Sequence, residues 1–144
     1  MVGLDVNVLV AAYREEDPFH APSRSLLESL SGSPAPFAVF WPSLYGFLRV
    51  ITHPALFDHP IPPERAAGVV EAWASLPNLR FLTETSRHAG ILADLIRESG
   101  ATGNLVYDAH LVALAIEHGV DEILTFDADF RRFPQVRSRH PFRT

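Results

Sequence analysis

Blocks of apolar residues alternate along the chain with short polar breaks, and their spacing switches between strand and helix periods. Val2–Asp5 is a short apolar run that ends on a carboxylate, the pattern of a buried strand, and Val6–Tyr13 stays apolar enough to begin a helix at once. His20–Leu30 carries Leu26, Leu27 and Leu30 at helical spacing. The segment from Gly32 to Pro36 breaks that helix, and Phe37–Trp41 reads as a strand. Pro42 suits the first turn of a helix that carries Leu44, Phe47, Leu48 and Ile51 and stops before Pro54. Pro63 and Glu64 open a further helix to about Leu76, and Leu79–Leu82 is strand-like. Ser86 is placed to cap a helix through Glu98, with Gly100 beyond it; Asn104 is placed to cap Leu105–His118, with Gly119 as its stop. Glu122–Phe126 predicts a strand, Phe130–Phe133 a helical turn, and Val136–Arg139 a last edge strand. Strands that alternate with helices predict an α/β fold of three layers, α/β/α, around a central parallel sheet.

Composition narrows the class. The 144 residues, 47% hydrophobic and 20% charged, suit one globular domain over residues 1–144. No apolar run is long enough to span a bilayer, and the N-terminus lacks the basic and apolar regions of a signal peptide. The chain has no cysteine, which excludes disulfides and thiolate metal sites and fits a cytoplasmic location. The net charge of −5 is unfavourable for a nucleic-acid binder. Against it stands a cluster of Arg131, Arg132, Arg137, Arg139 and Arg143 near the C-terminus, which suits either phosphate binding or a solvated tail. All twelve basic residues are arginine.

The acids carry the chemistry. Parallel sheets bind ligands beyond the carboxyl ends of their strands. Asp5 ends the first strand, Asp127 follows the strand at Glu122–Phe126, Asp129 lies two residues on, and Asp108 sits about one turn inside a helix. Taken singly, Asp5 is as well explained by helix capping, Asp108 by the helix dipole, and Asp127 and Asp129 by turns. Taken together they point to one rim, where converging carboxylates need a hard divalent cation such as Mg²⁺ or Mn²⁺. The histidines show no zinc-ligand spacing: His110 and His118 are two helical turns apart, and His110 reads as a packed or hydrogen-bonded helix residue.

Three segments carry a resemblance. Gly3-Leu4-Asp5-Val6-Asn7-Val8-Leu9-Val10 resembles the opening of PIN domains. Asp108-Ala109-His110-Leu111-Val112-Ala113-Leu114-Ala115, then Gly119, then Leu124-Thr125-Phe126-Asp127-Ala128-Asp129-Phe130 looks like their closing half. Arg49-Val50-Ile51-Thr52-His53-Pro54 is similar to a segment frequent in VapC toxins. The resemblance implies an endoribonuclease, the toxin of a VapBC-type toxin–antitoxin pair, that hydrolyses RNA with metal-activated water. It implies Mg²⁺ or Mn²⁺ as cofactor, a VapB-like antitoxin as partner, and a homodimer. Carried over by position, Asp5, Asp108 and Asp127 match metal-site acids with catalytic roles, and Asp129 a nearby acid that binds metal directly or through water. Asn7 and Thr125 match polar positions that orient a ligand or water. Arg49 is a candidate for fixing a phosphate, with a structural ion pair as the plainer reading.

One departure stands out. PIN domains usually carry a further acid in the helix after the second strand, and Pro42-Ser43-Leu44-Tyr45-Gly46-Phe47-Leu48-Arg49 has none; Gly46 falls in that slot. The loss leaves open a degenerate domain that binds RNA or a partner without cutting. A haloacid-dehalogenase-type phosphohydrolase also places an acid after strand one, but Asn7 stands where its general acid belongs, and the chain has no lysine for its phosphate. Trp41, Tyr45, Phe47, Phe57 and Trp73 are candidates for a partner groove or dimer face, although most aromatics belong in the core.

Overall fold

The computed structural model describes residues 1–143, so the last residue of the expected domain lies outside the described residues. The elements follow in the order β1 (Val2–Leu4), α1 (Val6–Ala11), α2 (His20–Gly32), β2 (Phe37–Phe40), α3 (Trp41–Thr52), α4 (Pro63–Ala74), β3 (Leu79–Leu82), α5 (His88–Ser99), α6 (Leu105–His118), β4 (Glu122–Leu124) and β5 (Arg137–Arg139), with a 3₁₀ turn at Ala128–Arg132 between β4 and β5. The five strands form one sheet in the order β3-β2-β1-β4-β5, and every pairing is parallel. From β1 the chain builds outward on one side to β2 and β3, then returns to build β4 and β5 on the other. The topological switch therefore falls between the carboxyl ends of β1 and β4, the crevice where open α/β sheets take ligands.

Side chains alternate across each strand, and the alternation divides the core in two. Leu4, Phe37, Val39, Leu79 and Leu124 pack on one face with Leu9, Leu44, Phe47 and Ile51 of the first helices. Ala38, Phe40, Leu82 and Ile123 pack on the other with α5, α6 and Phe130 of the 3₁₀ turn. These are the three layers expected. Gly3 is required by this packing: a Cβ there would lie 2.6 Å from Cζ of the fully buried Phe40 ring.

Element types hold where the periodicity was clear, and several ends differ. β4 stops at Leu124, two residues short of the expected strand, because Thr125 and Phe126 turn toward the crevice. α5 starts at His88, not beside Ser86. α5 has no side-chain cap bond; Thr85 closes a local turn ahead of it, its hydroxyl accepting from Arg87 N at 3.2 Å. Asn104 holds the position before α6 but makes no side-chain cap bond, while Gly100 and Gly119 end their helices in the left-handed conformation as expected. Of the candidate interface aromatics, Phe47 and Phe57 are buried and Tyr45 is 67% exposed.

Candidate active site

Asp5 is the last residue before α1 and the most enclosed of the acids, only 4% exposed. Its Oδ1 accepts from Val6 N at 2.7 Å, so it does cap the helix; its Oδ2 accepts from the Thr125 hydroxyl at 2.7 Å. Thr125 is a hub. Its Oγ1 also accepts from Asp127 N at 3.0 Å and from Asn7 Nδ2 at 3.3 Å, and Asn7 Oδ1 accepts from Phe126 N at 3.2 Å. Backbone bonds from Asp5 N to Leu124 O and from Thr125 N to Arg139 O complete the join. The ends of β1 and β4 are thus locked together by the two polar residues that flank the acids.

Asp127 caps the 3₁₀ turn by accepting from Asp129 N at 2.8 Å, and both acids are exposed. Asp108 lies half-buried in the first turn of α6, the end of that helix nearest the rim. The charges of the other three acids reach Asp108. Burial first, then the charges of Asp127, Asp5 and Asp129, push the Asp108 carboxyl from its usual 3.8 up to about 7. The Asp5 carboxyl is also raised, by burial and secondarily by Asp127, against the lowering effect of the Thr125 and Val6 hydrogen bonds. Among the described residues, none of the four forms an ion pair. Each acid that has a bland structural role keeps lone pairs beyond it.

α3 contributes no acid. A Cβ on Gly46 would meet Val6 Cγ2 at 3.2 Å, so this position faces the residue next to Asp5. Arg49 does not join the set: it is exposed in the last turn of α3, and the ion pair expected of it is not formed among the described residues. The arginine cluster divides. Arg137 and Arg139 are held by the buried Glu122 at 3.2 and 3.0 Å, pinning β5 to β4. Arg131, Arg143 and part of Arg139 line a cavity of about 340 Å³ that also reaches Thr125 and Asp127.

A family model described as the PIN domain matches residues 2–136. The chain belongs to the PIN-domain family. Ribonuclease VapC48 of Mycobacterium tuberculosis (strain CDC 1551 / Oshkosh) is 39% identical over 138 residues, covering 96% of this chain and 95% of that protein. Two solved structures share the fold at low identity. VapC20 of Mycobacterium tuberculosis, a sarcin-ricin loop cleaving toxin, gives a TM-score of 0.65 at 19% identity over 91% of this chain and 93% of that one. VapBC2 of Rickettsia felis, bound to a DNA fragment from its promoter, gives 0.66 at 17% identity over 96% and 98%. Membership of the PIN family removes the phosphohydrolase alternative. PIN-domain ribonucleases are generally dependent on divalent metal, and an oxygen-only donor set of carboxylates that forms no ion pair among the described residues fits such an ion.

Proposed function

We propose that this chain is the toxin of a VapBC-type pair, an endoribonuclease that hydrolyses RNA phosphodiester bonds and depends on Mg²⁺ or Mn²⁺. The observation that carries this reading is the join of Asp5 and Asp127 through Thr125 at the β1/β4 switch, with Asp108 near enough for the charges of Asp127, Asp5 and Asp129 to help raise its carboxyl to about 7. Asp5, Asp108 and Asp127 would hold the ion, with Asp129 beside them directly or through water. A divalent ion there supplies Lewis acidity, lowering the pKa of an attacking water and offsetting charge at the phosphate and the leaving oxygen.

The protein's own part is positioning. Thr125 fixes one Asp5 oxygen and the Asp127 backbone at once, so two acids from different strands keep one spacing. Asn7 ties the chain leaving β4 to the start of α1. Arg131 and Arg143, in the cavity beside Asp127, are placed to bind RNA phosphates next to the acids and offset the net negative charge locally. No helix among the described residues is long and apolar enough to cross a membrane, in keeping with a cytoplasmic toxin. A VapB-like antitoxin and a homodimer belong to the same reading.

Gly46 favours a second reading, a binding module that has lost its chemistry with the α3 acid. One assay separates them. Purified protein incubated with total cellular RNA should cut it with Mg²⁺ or Mn²⁺, stop in EDTA, and stop as the Asp5→Asn variant. Folded protein that cuts nothing with either ion fits the binding module instead.

A further inference from the structure

Away from the four acids, a second constellation joins three segments that the sequence keeps apart. Glu84 follows β3, His88 is the first residue of α5, and His110 lies in α6. One ligand atom from each of the three lies within 4.8 Å of the other two. His110 Nε2 is 2.6 Å from Glu84 Oε1, and the two imidazole rings meet edge to face with centroids 5.2 Å apart.

We propose that Glu84, His88 and His110 form a binding site for a borderline divalent transition metal of the Zn²⁺ class. Two imidazoles and one carboxylate are donors suited to Zn²⁺, Co²⁺ or Ni²⁺ rather than Mg²⁺. The support behind His88 is the second observation. Its Nδ1 is 2.7 Å from Oε2 of Glu117, whose side chain is fully buried. Glu117 is itself fixed, Oε1 accepting from Thr85 N at 2.9 Å and from the Thr85 hydroxyl at 2.7 Å. A carboxylate accepts, so Nδ1 of His88 carries the hydrogen and Nε2 keeps its lone pair for an ion. A buried carboxylate behind an imidazole is the arrangement that fixes the ring and raises its basicity at metal sites.

The remaining parts are consistent with entry of an ion. Glu84, His110 and His88 have side chains 43%, 27% and 16% exposed. Glu84 and His110 also border a cavity with Trp41, Tyr45 and Thr83. An ion between His110 Nε2 and Glu84 Oε1 replaces the proton they share; that proton passes to solvent while Nδ1 of the neutral ring takes one up, so the imidazole stays neutral. The site is separate from the acidic one: His110 is two residues beyond Asp108, about 200° around the helix. A bound ion would cross-link the β3–α5 connection to α6.

The test uses the full chain stripped of metal and titrated with Zn²⁺ by calorimetry and with Co²⁺ by visible absorption. Wild type and Asp5→Asn should each take up one ion at this site, with the intense Co²⁺ bands of low coordination number and a raised Tm. His110→Gln, which keeps an amide able to donate to Glu84, should lose that ion, as should His88→Gln. Glu117→Gln should weaken it by about 10- to 100-fold. Binding that survives in His110→Gln but disappears in Asp5→Asn would overturn the proposal, since the ion would then occupy the acidic pocket. So would the absence of any Zn²⁺ or Co²⁺ binding to folded wild type. Because the readout is metal uptake, it is independent of whether the protein cuts RNA.

Discussion

Thr125 engages Asp5, Asp127 and Asn7 through a single hydroxyl at the point where β1 and β4 end. Replacing it with Val keeps the shape and leaves a buried carboxylate oxygen and a backbone N–H without their partner. Thr125→Val should cost about 1–3 kcal/mol of stability, read by denaturant unfolding, and should reduce RNA cleavage more than it reduces RNA binding. Asp108 gives a pH signature. Its carboxyl titrates near 3.8 when unfolded and at about 7 when folded, so between those values the folded state holds more protons. Stability then falls as pH rises through that window. In EDTA, wild type should gain Tm from about pH 8 to about pH 5 relative to Asp108→Asn, and saturating Mn²⁺ should shrink the difference. The acids themselves were legible in the sequence, because each sits at the end of an apolar run or one turn into a helix. The roles of Thr125 and Asn7 came through family resemblance, but the bonds they make depend on two strands 120 residues apart meeting side by side. Glu84, His88 and Glu117 left no such trace, since no short spacing joins a post-strand loop to the far end of α6.

At the scale of elements, close packing of β1 on β2 depends on the missing side chain of Gly3. Gly3→Ala would drive a methyl into the Phe40 ring, and overpacking of this kind costs about 1–3 kcal/mol. The change should lower Tm while leaving the residues of the acidic set in place. Gly46 gives the opposite kind of test. It faces Val6 with little room, so Gly46→Glu requires Val6 to shift by a few tenths of an ångström. The variant should be less stable without metal and should bind Mn²⁺ more tightly in a calorimetric titration. Unchanged affinity would mean that the position does not look into the site. Element types were readable here because helix and strand periods differ strongly. Ends were not, since the bonds of Thr85 to Glu117 ahead of α5 and of Phe126 to Asn7 beyond β4 join residues far apart in the chain.

For the whole molecule, parallel strands in the order β3-β2-β1-β4-β5 gather residues from both ends of the chain at one crevice. Alternation of strands and helices announced the layers, whereas strand order is a tertiary property that the chain's local patterns do not encode. The net charge of −5 suggested poor affinity for RNA, and the fold answers it by setting Arg131 and Arg143 beside the acids while Glu122 holds Arg137 and Arg139. Arg131→Ala combined with Arg143→Ala should weaken RNA binding and flatten its dependence on salt concentration by about two contacts' worth, measured by fluorescence anisotropy with a non-cleaving Asp5→Asn background.

If the four carboxylates act as one metal site, an entering ion must expel the proton that Asp108 holds. Mn²⁺ is titrated into the metal-free protein at about pH 6 in buffers of different ionisation enthalpy. With Asp108 largely protonated there, one shared site requires saturable binding that releases close to one proton, and loss of that release in Asp108→Asn. Binding with no proton release, or release that persists in Asp108→Asn, would contradict it.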